Sequence, residues 1–249
     1  MEPTTEKRKV VVVLSGGQDS TTCLALAQQH EEVVGAIHFQ YGQQHQAEEF
    51  AAVGKIAEHF NVPNIKVVDL SALTAVAQSA LTLTAGSDVN RPHHLNQDLP
   101  ASFVPGRNLI MLTLAAVYAQ SLGATGLYTG VCETDYSGYP DCRQSTIELL
   151  ESTINYGLGL EDDEEISADA INIVTPLMDI DKADTFKMAN DLGVLDFIIE
   201  NTHTGYTGDR SKRYEWGYGP ENEEDLDPAS KIRAQGWETY VERYVKVTA

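Results

Sequence analysis

The sequence predicts an α/β protein: an open parallel sheet flanked by helices, with a small helical lobe at the C-terminal end. Three observations predict it. The run Val10–Leu14 is apolar at every position, as suits a strand covered on both faces. Strand-like and helix-like stretches then alternate along most of the chain. Finally, the most distinctive polar segments begin at Ser15, Gln40 and Gly130, each just after a strand, where ligands bind in open parallel sheets.

In order, Val10–Leu14 is the first strand and Thr21–Gln29 the first helix. Val33–Phe39 is a second strand, followed by a long helix over Gln43–Phe60 with Phe50, Val53, Ile56 and Ala57 on one face. Ile65–Leu70 is a third strand. Arg107–Leu122 is a strongly apolar helix, Gly126–Val131 a strand and Arg143–Tyr156 a helix. Ile171–Val174 is a short strand, and the helix Asp181–Leu192 stops at Gly193, a C-cap. Three segments break the rhythm: the polar loop Ala80–Ser102, the acidic run Glu161–Glu165 read as a solvated face, and the polar stretch Asn201–Asp227. The expected division is an α/β unit over 1–200 and a C-terminal lobe over 201–249, with that polar stretch an appendage or a flap.

The 249 residues are 42% hydrophobic, enough for a full core. A net charge of −20 argues against a nucleic-acid partner, which needs a basic face. No segment approaches the roughly 20 apolar residues of a membrane span, and the polar first residues carry no signal-peptide core, so a cytoplasmic enzyme is expected. Cys23, Cys132 and Cys142 form no metal-type pair and no disulfide framework; Cys23 reads as a packed residue.

The stretch Val10–Thr22, V-V-V-V-L-S-G-G-Q-D-S-T-T, has the layout of a phosphate cradle. Gly16 and Gly17 permit a sharp turn close to an anion, and the first amides of the following helix lack intrahelical partners. The hydroxyls of Ser15, Ser20, Thr21 and Thr22 are candidate donors. The lysine of the G-x-x-x-x-G-K-[ST] loop is missing, as is the third glycine of G-x-G-x-x-G. What remains, S-G-G-Q-D-S, resembles the pyrophosphate loop of the ATP pyrophosphatases. That resemblance implies ATP as cosubstrate, attack by a substrate oxygen on the α-phosphorus, a loop (Leu14–Thr22) that holds the departing pyrophosphate, and Asp19 beside Mg²⁺. The alternative is a glycine turn with no ligand.

A closer resemblance rests on S-G-G-Q-D-S-T-T-C-L (15–24), Y-G-Q-Q-H (41–45), V-P-G-R-N (104–108), T-G-V-C-E-T-D-Y-S-G-Y-P-D-C-R (129–143) and T-P-L-M-D-I-D-K-A (175–183). Together they resemble the 7-cyano-7-deazaguanine synthase (QueC) family from about Val10 to about Thr204. The resemblance implies a HUP-type, Rossmann-like fold and a homodimer, for which Val241, Tyr244 and Val245 are candidate contacts. It also implies adenylation of 7-carboxy-7-deazaguanine with ATP and Mg²⁺, displacement of AMP by ammonia, and dehydration of the amide to the nitrile in a second adenylation. Ser15, Asp19, Ser20, His45 and Arg107 are then the catalytic candidates. Tyr41, Gly106, Arg107, Asn108 and Gly130 join the loop around the nucleotide.

The chemistry of the residues suits that task. A deazaguanine offers N–H donors, for which Glu133, Asp135 and Asp141 are candidate acceptors. Tyr136 and Tyr139 are candidates to stack on the base. Arg107 and Arg143 suit a carboxylate or phosphate. His45 is a candidate proton relay, with a polar helix start as the alternative.

Two departures stand out. Gln44 replaces the family's usual arginine. The four C-terminal zinc cysteines are missing, with Gly205 and Ser230 in two of their places, so no structural zinc is expected. The rewritten lobe also resembles QueC-like proteins of anti-phage operons and raises a second reading, in which a protein amine takes the activated acyl group. A third is a nucleotide-binding scaffold without catalysis.

Overall fold

The computed structural model describes residues 6–77, 79–81, 93, 99–134, 138–162 and 165–247. Strands β1 (Lys9–Val13), β2 (Glu32–Gln40), β3 (Ile65–Asp69), β4 (Gly126–Tyr128) and β5 (Asn172–Val174) form one sheet in the order β3-β2-β1-β4-β5. Every pairing in it is parallel, as expected. The chain builds outward from β1 to β3, then returns to β1's other side for β4 and β5. The switch in direction opens a crevice between the carboxyl ends of β1 and β4.

Helices α1 (Gln18–His30), α2 (Gln46–His59), α3 (Ala72–Val76), α4 (Arg107–Ser121) and α5 (Gln144–Gly157) surround the sheet. Alternation along the strands sends side chains to opposite faces. Val10, Val12 and Ala36 pack with Leu24 of α1 and with Val53 and Ile56 of α2. Val11, Ile37, Leu127 and Ile173 pack with Leu112 and Ala115 of α4 and Ile147 of α5.

Three element boundaries differ from the sequence reading by more than one residue, each for a local reason. α1 begins at Gln18 rather than Thr21, because Gly17 is extended (φ −90°, ψ 171°) and serves directly as N-cap. α2 begins at Gln46 rather than Gln43: Gly42 turns with φ +80°, and the Gln43 side chain bridges the Tyr41 amide and Glu49. β4 stops at Tyr128, although Thr129 still donates to the Val174 carbonyl at 3.0 Å. Phe50, expected on the buried face of α2, is 48% exposed, while Val53, Ile56 and Ala57 are buried. α4 also leaves Leu109, Ile110, Leu114 and Val117 partly exposed. The loop expected over 80–102 lies largely outside the described residues, as do Asp163 and Glu164 of the acidic run.

After α6 (Lys182–Asp191) and α7 (Leu195–Asn201), an antiparallel hairpin, β6 (Lys212–Tyr214) and β7 (Gly217–Gly219), precedes helix α8 (Pro228–Tyr240) in the stretch expected to be a helical lobe. Gly193, at φ +72°, ends α6 as expected. The polar stretch 201–227 folds against α6 and α8 rather than standing apart. Phe186 is fully buried, with the Trp237 ring 5.2 Å and the Tyr240 ring 6.0 Å away, and Trp216 and Leu226 complete this core. Truncating such a residue costs about 3–5 kcal/mol. Asp227 caps α8: one oxygen accepts from Ser230 N (3.0 Å), the other from Tyr206 N (2.7 Å). A Cβ on Gly205 would lie 3.1 Å from Asp227 Oδ2 and 3.2 Å from Ser230 Oγ. A carboxylate-centred cap thus occupies the place where the resemblance puts thiolates. No group of three or more His, Cys, Asp or Glu arranged to hold a metal occurs among the described residues. Incubation with a strong chelator is expected to leave the thermal unfolding midpoint unchanged. A midpoint lowered by the chelator, or stoichiometric zinc in the purified protein, would overturn this.

Candidate active site

The crevice at the switch point is a cavity of about 330 Å³. The loop after β1 lines it. Gly16 adopts φ +89° and packs so closely that a Cβ would sit 2.6 Å from the Glu49 carbonyl oxygen. Ser15 Oγ and Ser20 Oγ are 3.1 Å apart, and Ser20 Oγ also accepts from the Ser15 amide at 3.2 Å. Gly130, after β4, presses on the same loop; a Cβ there would lie 3.0 Å from Asp19 Cβ. Gln18 is 3% exposed and lines the cavity, with neither side-chain amide atom hydrogen-bonded. Lys182, the first residue of α6, donates to both carboxylate oxygens of Asp19 at 2.9 and 2.8 Å.

Another part of the lining is aromatic and basic. Arg107, at the start of α4, lies 5.7 Å from the ring centroids of both Tyr41 and Tyr139, and its Nη1 donates to Tyr41 Oη at 3.3 Å. Ser102 Oγ is 2.7 Å from Tyr139 Oη. Asn108 lines the wall and donates through Nδ2 to Cys142 Sγ at 3.1 Å.

His45 also lines the cavity. Its Nε2 is 3.1 Å from Glu49 Oε1 and its Nδ1 is 3.1 Å from the Tyr206 carbonyl. Both partners are acceptors, so both ring nitrogens donate and the ring is an imidazolium. Burial opposes both charges, but their mutual hydrogen bond prevails: the His45 pKa is raised and that of Glu49 lowered. His203, with its ring 5.7 Å from His45, shifts the opposite way, through burial and then the His45 charge. The pair is therefore a buried bridge between the start of α2 and the C-terminal lobe. Both ring nitrogens of His45, the candidate proton relay, are hydrogen-bonded in this structure.

The sign of the pH dependence follows. The Glu49 share of the stability is present above the carboxyl's ordinary value, 4.5, and is lost as pH falls through the lowered folded value. The His45 share is complete below the ordinary imidazole value, 6.5, and is lost as pH rises through the raised folded value. The stability of the wild type over His45→Gln is therefore expected to shrink as pH is raised from 6.5 to 9 in thermal melts. A gap that does not change with pH would contradict the pairing.

Against a chain of net charge −20, the cavity is locally basic. Three Lys or Arg side chains (Arg107, Lys182, Arg233) and the His45 cation face two carboxylates, Asp19 and Glu49. Residues 9–239 match the family described as queuosine biosynthesis protein QueC. The chain belongs to the QueC family. Its relatives include 7-cyano-7-deazaguanine synthase of Wolinella succinogenes, 44% identical over 92% of each chain. The Helicobacter pylori enzyme of the same name is 40% identical over 94% of this chain and 97% of its own. That of Polaromonas is 43% identical over 92% and 95%. The QueC family is thus an enzyme family, and no name among these relatives points to a protein acceptor or to anti-phage defence.

Several QueC-type candidates sit elsewhere than expected. Thr21 and Thr22 are fully buried and donate back to the Gly17 and Gln18 carbonyls (2.8 and 2.9 Å), because they lie one turn into α1; neither lines the cavity. Leu14 is buried under the loop, and Gly106, at φ +73°, is the N-cap of α4; neither lines the cavity. Asp141 is behind the wall, where Oδ2 accepts from the Asn108 amide at 3.0 Å and Oδ1 is unpartnered. Glu133 is exposed and accepts from the Gln144 amide at the start of α5, and the exposed Arg143 is that helix's N-cap. Asp135 and Tyr136 lie outside the described residues.

The sequence reading missed His38, Glu49, Lys182, His203 and Arg233. Lys182 sits in the Thr175–Ala183 block, which carried the resemblance but was given no role. His38 is 1% exposed; its Nδ1 lies 2.9 Å from the Leu14 carbonyl oxygen, and its Nε2 has no partner, on a cavity-lining side chain. An apolar strand around it gave no cue that its side chain faces a site.

Proposed function

We propose that this protein adenylates the carboxylate of 7-carboxy-7-deazaguanine with ATP, releases pyrophosphate, and passes the acyl group to ammonia, forming the amide and then the nitrile. The observation that carries this reading is the single cavity joining the Ser15–Ser20 loop and Lys182 to the aromatic, basic lining formed by Tyr41, Tyr139 and Arg107. The family relatives named 7-cyano-7-deazaguanine synthase support it.

The residues fit a triphosphate. Gly16, Gly17 and Gly130 allow close approach of backbone, the first amides of α1 have no intrahelical acceptor, and Gln18 offers an uncommitted amide. Ser15 and Ser20 hydroxyls supply further donors. In the aromatic, basic part of the lining, Tyr139 stacks on the deazapurine and Arg107 takes its carboxylate, setting one oxygen in line with the α-phosphorus. That oxygen attacks, the bond to the bridging oxygen breaks, and charge develops on the departing pyrophosphate, where loop amides and Lys182 stabilise it. Ammonia then attacks the acyl carbon and AMP leaves. In a second round the amide oxygen is adenylated and departs with AMP as the nitrile forms.

Mg²⁺ fits through Asp19, since this ion is commonly held by one carboxylate together with substrate phosphates. When bound it supplies positive charge at the phosphate oxygens. Lys182, which donates to both Asp19 oxygens, would hold that carboxylate in place for the ion.

The test is incubation with ATP and 7-carboxy-7-deazaguanine, with and without ammonium, read by pyrophosphate release and product mass. A nitrile-mass product dependent on ammonium is expected. Pyrophosphate release without a nitrile, with base-sized mass on a co-expressed polypeptide, would favour a protein acceptor. Tight ATP binding without pyrophosphate release would mark a scaffold.

A second copy of this chain is the partner proposed for the apolar side of α4 (Leu109, Ile110, Leu114, Val117), with Val241, Tyr244 and Val245 as a further contact. Leu114→Glu is expected to convert a dimer to a monomer in light scattering. A wild type that is already monomeric would contradict this.

A further inference from the structure

Arg233, on α8, is 2% exposed and lines the cavity. Its Nη1 donates to Thr202 Oγ1 (2.9 Å) and Thr204 Oγ1 (2.6 Å), and its Nη2 to the Ile198 carbonyl at 3.4 Å. All of these acceptors are neutral. Its Nε has no partner, and no carboxylate forms an ion pair with it among the described residues. Burial, with a smaller push from the Arg210 charge, brings the guanidinium pKa down to about 10 against the opposing pull of Asp19. A buried cation without a counter-ion is costly in a folded chain, and a fold retains it where something anionic completes it.

The surroundings set the guanidinium beside the glycine loop. Thr202 and Thr204 flank His203, whose amide donates to the Gly16 carbonyl at 2.9 Å. A Cβ on Gly17 would lie 3.3 Å from the His203 carbonyl oxygen. One turn along α8, Gly236 packs so tightly that a Cβ there would lie 2.6 Å from Lys182 Cβ. The helix carrying Arg233 is therefore pressed against the segment that touches the glycine loop and against the lysine that holds Asp19.

We propose that Arg233 binds the phosphate tail of the nucleotide and then the departing pyrophosphate, so that the C-terminal lobe supplies part of the phosphate site. This rests on the reading of Ser15–Ser20 as a phosphate loop. The loop amides and Lys182 take the anion from one side, and Arg233 takes it from the lobe's side. The anion neutralises the guanidinium, so occupancy also tightens the lobe on the α/β unit.

Pyrophosphate is the probe, with binding measured by calorimetry on the full chain and stability by thermal melts. Wild type is expected to bind pyrophosphate and melt higher with it. Arg233→Met is expected to melt near the unliganded wild type, because it removes an uncompensated buried charge, yet to bind pyrophosphate at least tenfold more weakly. Arg233→Lys is expected to recover part of the affinity. Wild-type affinity in Arg233→Met would overturn the proposal and leave Arg233 a clamp for Thr202 and Thr204. Should Arg233→Met not fold, the Nε–H resonance of Arg233 in ¹⁵N-labelled wild type decides: it is expected to shift on titration with pyrophosphate, and an unmoved resonance overturns the proposal. Gly16→Ala separates the two readings. Wild-type binding that is lost in Gly16→Ala but kept in Arg233→Met refutes the role of Arg233 alone. No binding to wild type, or binding indifferent to Gly16→Ala, refutes the phosphate loop and this proposal with it.

Discussion

Gly16→Ala is expected to lower the rate of pyrophosphate release by at least about a hundredfold, the scale set by loss of a single preorganised oxyanion donor. The reason is geometric. Gly16 sits at φ +89°, a conformation that costs a residue with a Cβ on the order of 1–3 kcal/mol. The added methyl group would also meet the Glu49 carbonyl at 2.6 Å, and that oxygen is backbone in α2, not a side chain that can swing away. Either the loop lifts off α2 or α2 moves. In the first case the amides of residues 16–20 no longer converge on the phosphate tail. In the second the His45–Glu49 pair, which begins on the same turn of α2, loses its geometry. The variant is expected to fold, because the clash falls on one turn of α2, at Glu49 and Ala52, and the rest of both cores is untouched. Steady-state pyrophosphate release alongside circular dichroism checks this, and near-normal turnover in a folded variant would refute the tight-turn argument.

Asp19→Ala is expected to abolish pyrophosphate release while leaving the fold intact. The Asp19–Lys182 pair is partly solvated, with side chains 31% and 12% exposed, so its loss is expected to cost only about 1 kcal/mol of stability. Its catalytic cost is expected to be much larger, because in the proposed mechanism Asp19 both positions Lys182 and would serve as the carboxylate for Mg²⁺. Lys182→Met is expected to be severe as well. The double variant is expected to be little worse than either single one, since residues that act as a unit are not additive. Near-normal turnover in Asp19→Ala would show that Asp19 does not hold the metal. Additive losses in the double variant would show that the two residues act separately.

How much of this was legible in the chain follows from which interactions are local. The sheet was legible because a strand buried on both faces leaves an unbroken apolar run, as at Val10–Val13, and because the glycines of the loop mark where β1 must turn. Gly193 was legible for the same reason: a helix stop written within a few residues. The ends of α1 and α2 were not, because Gln18–Ser20 and Gln43–His45 have similar polarity while their conformations are set by partners, the Gly17 cap in one case and the Gln43–Glu49 bridge in the other. Thr21 and Thr22 resemble phosphate donors in a linear motif, but one further turn of helix rotates them into the core.

The site's basic character was the least legible part. Lys182 and Arg233 lie 163 and 214 residues after Asp19, and only the packing of α6 and α8 brings them to the same cavity. Nor did any spacing signal reveal that His45 faces two acceptors, one of them a carbonyl 161 residues away. The C-terminal lobe shows the opposite case. The missing cysteines were visible, but the compensating Asp227 cap and the Phe186–Trp237–Tyr240 core depend on contacts that no local pattern records.

The central claim is that the turn after β1 grips the part of ATP that leaves. It is tested most directly by a crystal structure with a non-hydrolysable ATP analogue and 7-carboxy-7-deazaguanine. The account predicts the β- and γ-phosphates within hydrogen-bonding distance of the residue 16–20 amides, with the base carboxylate near Arg107 and facing the α-phosphorus. A triphosphate bound away from Ser15–Ser20 would contradict it.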